Sequence, residues 1–305
     1  MSKPTAIDVS EFQGTMNFAK AKASGIKTVF CRCAYSKTED SKFKTFTSAA
    51  NKQGLTVGSY FFATWHYSGN SKGYEAAQRL AKEQTNKVIS ILKKAKIGGP
   101  VALDLEFEKG CSTKLTKSEL TDIANTVCDM IKNAGYEPLV YASISWLYEY
   151  MLPAKIKYPL WVAYYNSQIT SDNFCVGSYA DKMKAIKDKV YFVQYTDKGN
   201  GSSYGAGSSY IDLNYCYKET SNNKPSTSPK PSVSFAKGKK LALKNVPLYS
   251  SATASSPVKK VTGTYYLYDG KNISGKYRIT NVQKNCGKAP IASYVTGYIK
   301  KSDIS

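Results

Sequence analysis

The first 219 residues alternate short apolar runs with amphipathic stretches. The runs Thr5–Phe12, Thr28–Tyr35, Thr56–Thr64, Pro100–Phe107, Glu137–Ser143, Pro159–Tyr165, Val190–Thr196 and Ser209–Cys216 are rich in Val, Ile, Phe and Tyr. Bounded by Gly, Pro or Asn, they read as strands. Several are apolar on both faces, as expected of strands covered by helices. Between them lie helical patterns. The clearest opens on a capping box, Thr116-Lys117-Ser118-Glu119, runs through Leu120, Ile123, Val127 and Ile131, and stops at Gly135. Another spans about Tyr74–Lys94. Eight strands in βα alternation predict an α/β fold, a TIM-like β/α barrel. It should be irregular in its final third, where strands follow one another with little helix between.

Residues 220–236 break the pattern. The stretch Ser221–Ser234, SNNKPSTSPKPSVS, has almost no apolar residues and reads as a Pro/Ser/Lys linker. Beyond it, residues 237–305 hold short β-like runs at Lys240–Leu243, Thr264–Tyr268, Lys276–Thr280 and Gly297–Lys300. They predict a second, small all-β domain, with Asp269-Gly270 as a hairpin turn.

Charge separates the two parts further. The net charge is +21, and residues 220–305 carry 15 Lys and Arg against two acids. Such a field favours polyanionic partners, among them the phosphate-rich polymers of a bacterial wall. No apolar run approaches the roughly 20 residues that span a bilayer, so no membrane insertion is expected. Met1-Ser2-Lys3-Pro4-Thr5 leads straight into a strand-like segment, so no signal peptide is expected either. The seven cysteines lack the even, regular spacing of a disulfide framework and are expected as buried, reduced thiols. One histidine, His66, is too few for a zinc peptidase or amidase, and it reads as a packing or surface residue. No metal or cofactor is implied.

Chemistry concentrates in Val101-Ala102-Leu103-Asp104-Leu105-Glu106-Phe107. Side chains alternate along a strand, so Asp104 and Glu106 share a side. Two such carboxylates push one pKa up, which keeps an acid protonated beside an ionised partner. That pair can protonate a glycosidic oxygen. Asp8 lies in the first apolar strand and Asp212 in the last. These are neighbours in a closed barrel, so all four acids can meet at one mouth. Tyr60, Phe62, Tyr141, Trp161, Tyr164 and Gln194 crowd the same strands and suit a cleft for sugar rings.

In order along the chain, AIDVSEFQG, GSYFFA, VALDLE, LVYAS, LWVAYY, FVQYT and YIDLN resemble glycoside hydrolase family 25, the Chalaropsis-type lysozymes. The resemblance covers residues 5 to about 217 and implies hydrolysis of the β-1,4 bond between N-acetylmuramic acid and N-acetylglucosamine in bacterial peptidoglycan. It implies Glu106 as general acid and Asp104 as its partner, with Asp8 and Asp212 completing the acidic cluster. Tyr60, Tyr141, Trp161 and Gln194 would line the subsites. Phe61 departs from the pattern, since family members often carry His there. The tail, with LALKNVPLYSSATAS, YYLYDGKNISGKYRITN and YVTGYIKKSDI, resembles bacterial SH3-type modules that bind the cell wall. Together these imply a phage endolysin, made in the host cytoplasm and acting on the wall after release, with a bacterial autolysin exported by another route as the alternative. The alternatives are an inactive wall- or polyanion-binding protein with the same fold, and a nucleic-acid-binding protein. The second rests on charge alone, without any recognisable nucleic-acid motif, so no nucleic-acid partner is expected.

Overall fold

The structure, a computed structural model, describes residues 4–67, 69–70, 73–218, 235–254, 256–273 and 275–304. The chain divides into two compact units, Met1–Pro225 and Ser226–Ser305. All but the last two residues of the expected linker, 220–236, lie outside the described residues.

The first unit is a mixed α/β fold around a closed eight-stranded barrel. Its strands are β1 (Ala6–Val9), β2 (Thr28–Tyr35), β4 (Thr56–Phe62), β5 (Val101–Asp104), β6 (Pro138–Ser143), β7 (Leu160–Ala163), β8 (Val190–Asn200) and β9 (Tyr210–Cys216). A two-residue β3 (Thr38–Glu39) extends β2 as an edge. Helices α1 (Phe18–Ala23), α2 (Phe43–Lys52), α3 (Tyr74–Leu92), α4 (Lys117–Asn133), α5 (Ile144–Tyr150) and α6 (Ala180–Ile186) form the connections. Strands β1, β2 and β4 to β8 pair in parallel around the ring. The last strand, β9, runs antiparallel to both neighbours and closes the barrel, with Asp212 opposite Asp8. This reversal is the irregularity expected of the final third.

Strand alternation sorts side chains into two layers. Ile7, Val29, Cys31, Val57, Val101, Leu103, Val140, Val162 and Val193 face outward and are sealed by helices. Ala6, Phe30, Ala102, Leu139, Trp161 and Phe192 face inward and plug the barrel. Phe30 stacks on Trp161 at 4.3 Å and meets Phe192 edge-on at 5.0 Å. Gly58 makes this plug possible: a Cβ there would sit 2.8 Å from the Phe30 ring and from the Pro100 carbonyl. Two residues further along, the inward positions become Asp8, Arg32, Tyr60, Asp104, Tyr141 and Gln194. The plug is therefore apolar below and polar above, and the polar layer sits at the carboxyl ends of the parallel strands, where barrels of this type carry their sites.

The clearest predicted helix is α4. Thr116 Oγ1 accepts from Glu119 N at 3.3 Å, Glu119 Oε2 accepts from Thr116 N at 2.8 Å, and Gly135 follows the helix at φ 95°. Cys31, Cys33 and Cys128 are buried in the outer core, and no disulfide links cysteines among the described residues.

The second unit is an antiparallel sheet in the order β10 (Lys240–Leu248), β11 (Lys259–Ile273), β12 (Lys276–Thr280), β13 (Gly297–Lys300), with one short helix, α7 (Ile291–Tyr294). Its core is Leu241, Leu243, Leu248, Val261, Leu267, Tyr277, Ile279 and Ile299. The expected hairpin turn at Asp269-Gly270 is corrected: β11 continues through it, and the chain reverses between Ile273 and Lys276. Gly270, at φ 67°, instead lies within a register shift between Leu267 and Asn272. The Asp269 carboxylate is held there by Arg278 of β12 at 2.6 Å.

Thr116→Ala removes the reciprocal cap of α4. It should cost about 1 kcal/mol, a loss of roughly 2–4 °C in Tm measured by thermal denaturation.

Candidate active site

A cavity of about 150 Å³ opens at the polar end of the barrel. Four carboxyls face it: Asp8, Asp104, Glu106 and Asp212. Tyr60, Tyr141, Trp161, Tyr165 and Gln194 complete the lining. Asp104 ends β5, and the ladder persists one step further, with Leu105 N donating to Tyr141 O at 2.9 Å. Alternation therefore continues past the strand: Leu105 turns to the outer core and Glu106 to the cavity.

Asp8 is the best-held acid. Its Oδ2 accepts from Asn214 Nδ2 at 2.9 Å and from Gln194 Nε2 at 3.1 Å. Aromatic partners aim both amides. Trp161 Nε1 donates to Asn214 Oδ1 at 2.7 Å, and the hydroxyls of Tyr141 and Tyr165 donate to Gln194 Oε1 at 2.9 and 2.8 Å. Each amide has its oxygen occupied, so its N–H turns to the carboxylate. Asp212 adds a third hydrogen bond to Asp8. Burial nevertheless outweighs these donors and holds the Asp8 pKa above the ordinary carboxylate value.

The other acids are pushed the same way. Burial, then the charges of Glu106 and Asp8, raises Asp104 well above the usual range, and Arg32 opposes the shift. Burial and the charge of Asp8 bring Glu106 up to about 7. Asp212 is raised by burial, by the charge of Asp8 and by donating a hydrogen bond to it. Four carboxyls crowded into one cavity cannot all ionise, and Glu106 is left poised to give up a proton near neutrality. The Oδ1 of Asp104 is buried with no hydrogen-bond partner among the described residues, an acceptor ready for a donor brought by a ligand.

Two of the aromatic residues expected in the cleft lie elsewhere. Tyr164 points to the outer core, where its hydroxyl donates to Val176 O at 3.0 Å and its ring meets Tyr179. Its neighbour Tyr165 lines the cavity instead, because alternation from Trp161 reaches 163 and 165. Phe62, the last residue of β4, stacks on Tyr35 at 5.1 Å and does not line the cavity.

Three contributors carried no recognised signal in the sequence: Asn214, Arg32 and His66. His66 is fully buried among Trp65, Tyr67, Phe107 and Trp146. Its Nε2 donates to the Glu106 carbonyl at 3.0 Å. Burial lowers its pKa to about 4, so it is neutral and fixes the backbone that carries Glu106. Among the described residues, no cluster of three His, Cys, Asp or Glu could hold a metal ion.

Residues 7–204 match the model of glycosyl hydrolases family 25. The chain belongs to this family. As a family 25 glycoside hydrolase it finds no match among curated proteins. Its fold is similar to that of the CTP1L endolysin, at 21% identity and a TM-score of 0.52, covering 71% of this chain and 66% of that one. It is also similar to the catalytic domain of endolysin ply40 from bacteriophage P40 of Listeria monocytogenes (21% identity, TM-score 0.53, 70% of this chain and 93% of that one). A family 25 glycosyl hydrolase from Bacillus anthracis compares likewise (22% identity, TM-score 0.54, 72% and 90%). The family 25 match reaches from β1 through β8 and stops short of β9, whose Asp212 lines the cavity and whose Asn214 holds Asp8.

A raised carboxyl pKa also has a cost in stability. Between about pH 4.5 and 7 the folded chain holds a proton on Glu106 that the unfolded chain has released, so this contribution is present below 4.5 and is lost as pH rises through about 7. Glu106→Gln should therefore raise Tm at pH 8 by about 2–8 °C and leave it nearly unchanged at pH 4, measured by calorimetry.

Proposed function

We propose that this family 25 glycoside hydrolase is an N-acetylmuramidase of bacterial peptidoglycan, cutting the β-1,4 bond between N-acetylmuramic acid and N-acetylglucosamine. The observation that carries the reading is Glu106, a carboxyl with a pKa near 7 beside Asp104 in an aromatic-lined cavity. The aromatic faces suit the apolar faces of sugar rings, and the acid suits a glycosidic leaving oxygen.

The mechanism we favour is substrate-assisted. The 2-acetamido oxygen attacks the anomeric carbon as the bond to the leaving oxygen breaks, and Glu106 delivers its proton to that oxygen. Asp104 accepts from the acetamido N–H through Oδ1, which has no hydrogen-bond partner among the described residues, and so orients the group for attack. Water then opens the cyclic intermediate and returns a proton to Glu106, with retention at the anomeric carbon. Asp8, which accepts the hydrogen bond from Asp212, supplies negative charge that favours the cationic transition state. A product of inverted configuration would remove this route.

The second unit we assign to wall attachment, as a bacterial SH3-type module. Its charge supports contact with anionic wall polymers, and Lys240, Lys244, Lys259 and Lys260 of β10 and β11 are exposed. The setting we favour is a phage endolysin acting on the wall from the cytoplasmic side after release, in line with the two endolysins of similar fold.

Digestion of purified walls by wild type and Glu106→Gln tests the assignment. New reducing ends on muramic acid, reduced at least 100-fold in the variant, are expected. New free amino groups without reducing ends would overturn it. Because the acid works only while protonated, wild-type kcat/KM should fall as pH rises through about 7.

A further inference from the structure

Among the described residues of the barrel unit, the large apolar side chains left more than half exposed are Phe12 (75%), Tyr210 (60%) and Tyr165 (53%). All three sit at the same end of the barrel. Phe12 follows β1 in a single 3-10 turn, Glu11–Gln13, beyond Asp8. Tyr210 begins β9, which is antiparallel, so its start lies at the mouth. Along β9, Tyr210, Asp212 and Asn214 share a face, and Asn214 and Asp212 both point at Asp8. Tyr165 follows β7 and lines the cavity. Around the ring these are the neighbouring strands β7, β8, β9 and β1, so the three aromatics occupy one continuous arc of the rim.

Exposing a phenylalanine ring to water is unfavourable, yet Phe12 is held in place. The Arg32 guanidinium lies 4.9 Å from its ring centroid. Arg32 is itself fixed by Asp40 at 2.8 Å and Glu11 at 2.9 Å, and Ser41 donates to the other Glu11 oxygen at 2.8 Å. An ionic network anchored on the buried Arg32–Asp40 pair thus supports one face of the ring while most of its surface stays in water. Arg32 pairs in register with Tyr60, a cavity residue, which brings this platform beside the cavity.

Size sets what such an arc is for. The cavity, about 150 Å³ and open at its mouth, is below the roughly 300 Å³ of pockets that enclose a drug-sized ligand, so a polymeric glycan must also lie against the rim.

We propose that Phe12 and Tyr210 are saccharide-stacking platforms outside the cavity, extending the site along β9 and β1 so that it selects long glycan strands over short ones. This deepens the muramidase reading and rests on it.

Binding tests it directly, in the non-cleaving Glu106→Gln background. Peptide-free glycan fragments of two and of six sugars, prepared from peptidoglycan, are titrated calorimetrically into that protein and into versions also carrying Phe12→Ala or Tyr210→Ala. Each rim substitution should weaken the six-sugar fragment about 2- to 10-fold and leave the two-sugar fragment unchanged. Phe12→Trp should restore six-sugar affinity, which separates stacking from a general loss of structure. Six-sugar affinity unchanged by both alanines, or lost equally for both fragments, overturns the proposal. Wild type that binds the six-sugar fragment with this rim dependence but never cuts it would bring down the hydrolase reading and leave the platforms standing.

Discussion

A carboxylate buried where the barrel closes sets the terms for everything around it. Asp8 sits on the first strand, and the groups that make its burial tolerable come from the last two: Gln194 from β8, Asp212 and Asn214 from β9. An ionised acid without such partners would cost several kcal/mol in a dry interior. The reversal of β9 is what brings Asp212 opposite Asp8 in the closing pair. The irregular end of the barrel is therefore part of the chemistry, because it places a second acid and an amide against the first. Trp161, Tyr141 and Tyr165 act one step further out, by fixing which way those amides point.

The same interior shows how one alternating pattern serves both stability and function. Below, Phe30, Trp161 and Phe192 fill the barrel and exclude water. Above, two residues on, every parallel strand of the ring but β7, which carries Ala163, presents a polar group at the same end of the barrel. Low dielectric then lifts every carboxyl, and burial together with the charge of Asp8 brings Glu106 into the neutral range. The groups that make the cavity reactive also oppose folding at alkaline pH, a trade that functional sites commonly strike.

Much of this was legible in the sequence, for a physical reason. Isolated acids inside apolar strands are expensive, so Asp8, Asp104 and Asp212 stood out, and the structure gathers them with Glu106 at one mouth. The capping box of α4 was equally plain because its four residues act locally. What escaped depends on partners far away. In Leu160-Trp161-Val162-Ala163-Tyr164-Tyr165 both faces are apolar, so composition could not tell Tyr164 from Tyr165; only counting in twos from Trp161 would have done so. His66 looked like an unremarkable packing residue because its partner is a backbone carbonyl 40 residues away. Asp269-Gly270 carries a strong turn signal, and it lost to the ion pair with Arg278, a contact made only once β12 is in place.

The hydrogen bond from Asn214 to Asp8 spans 206 positions of chain. Folding order follows from that separation. Parallel neighbours from β1 to β7 can pair as the polypeptide lengthens, but the floor of the cavity waits for the final strand, and loop closure over such a distance is slow. Until then the first strand carries an unpaired acid toward the interior, which disfavours compaction of a partial barrel. A chain interrupted before β9 would hold Asp104 and Glu106 without the strand that closes the barrel beside Asp8, so the site is complete only once that last barrel strand is in place.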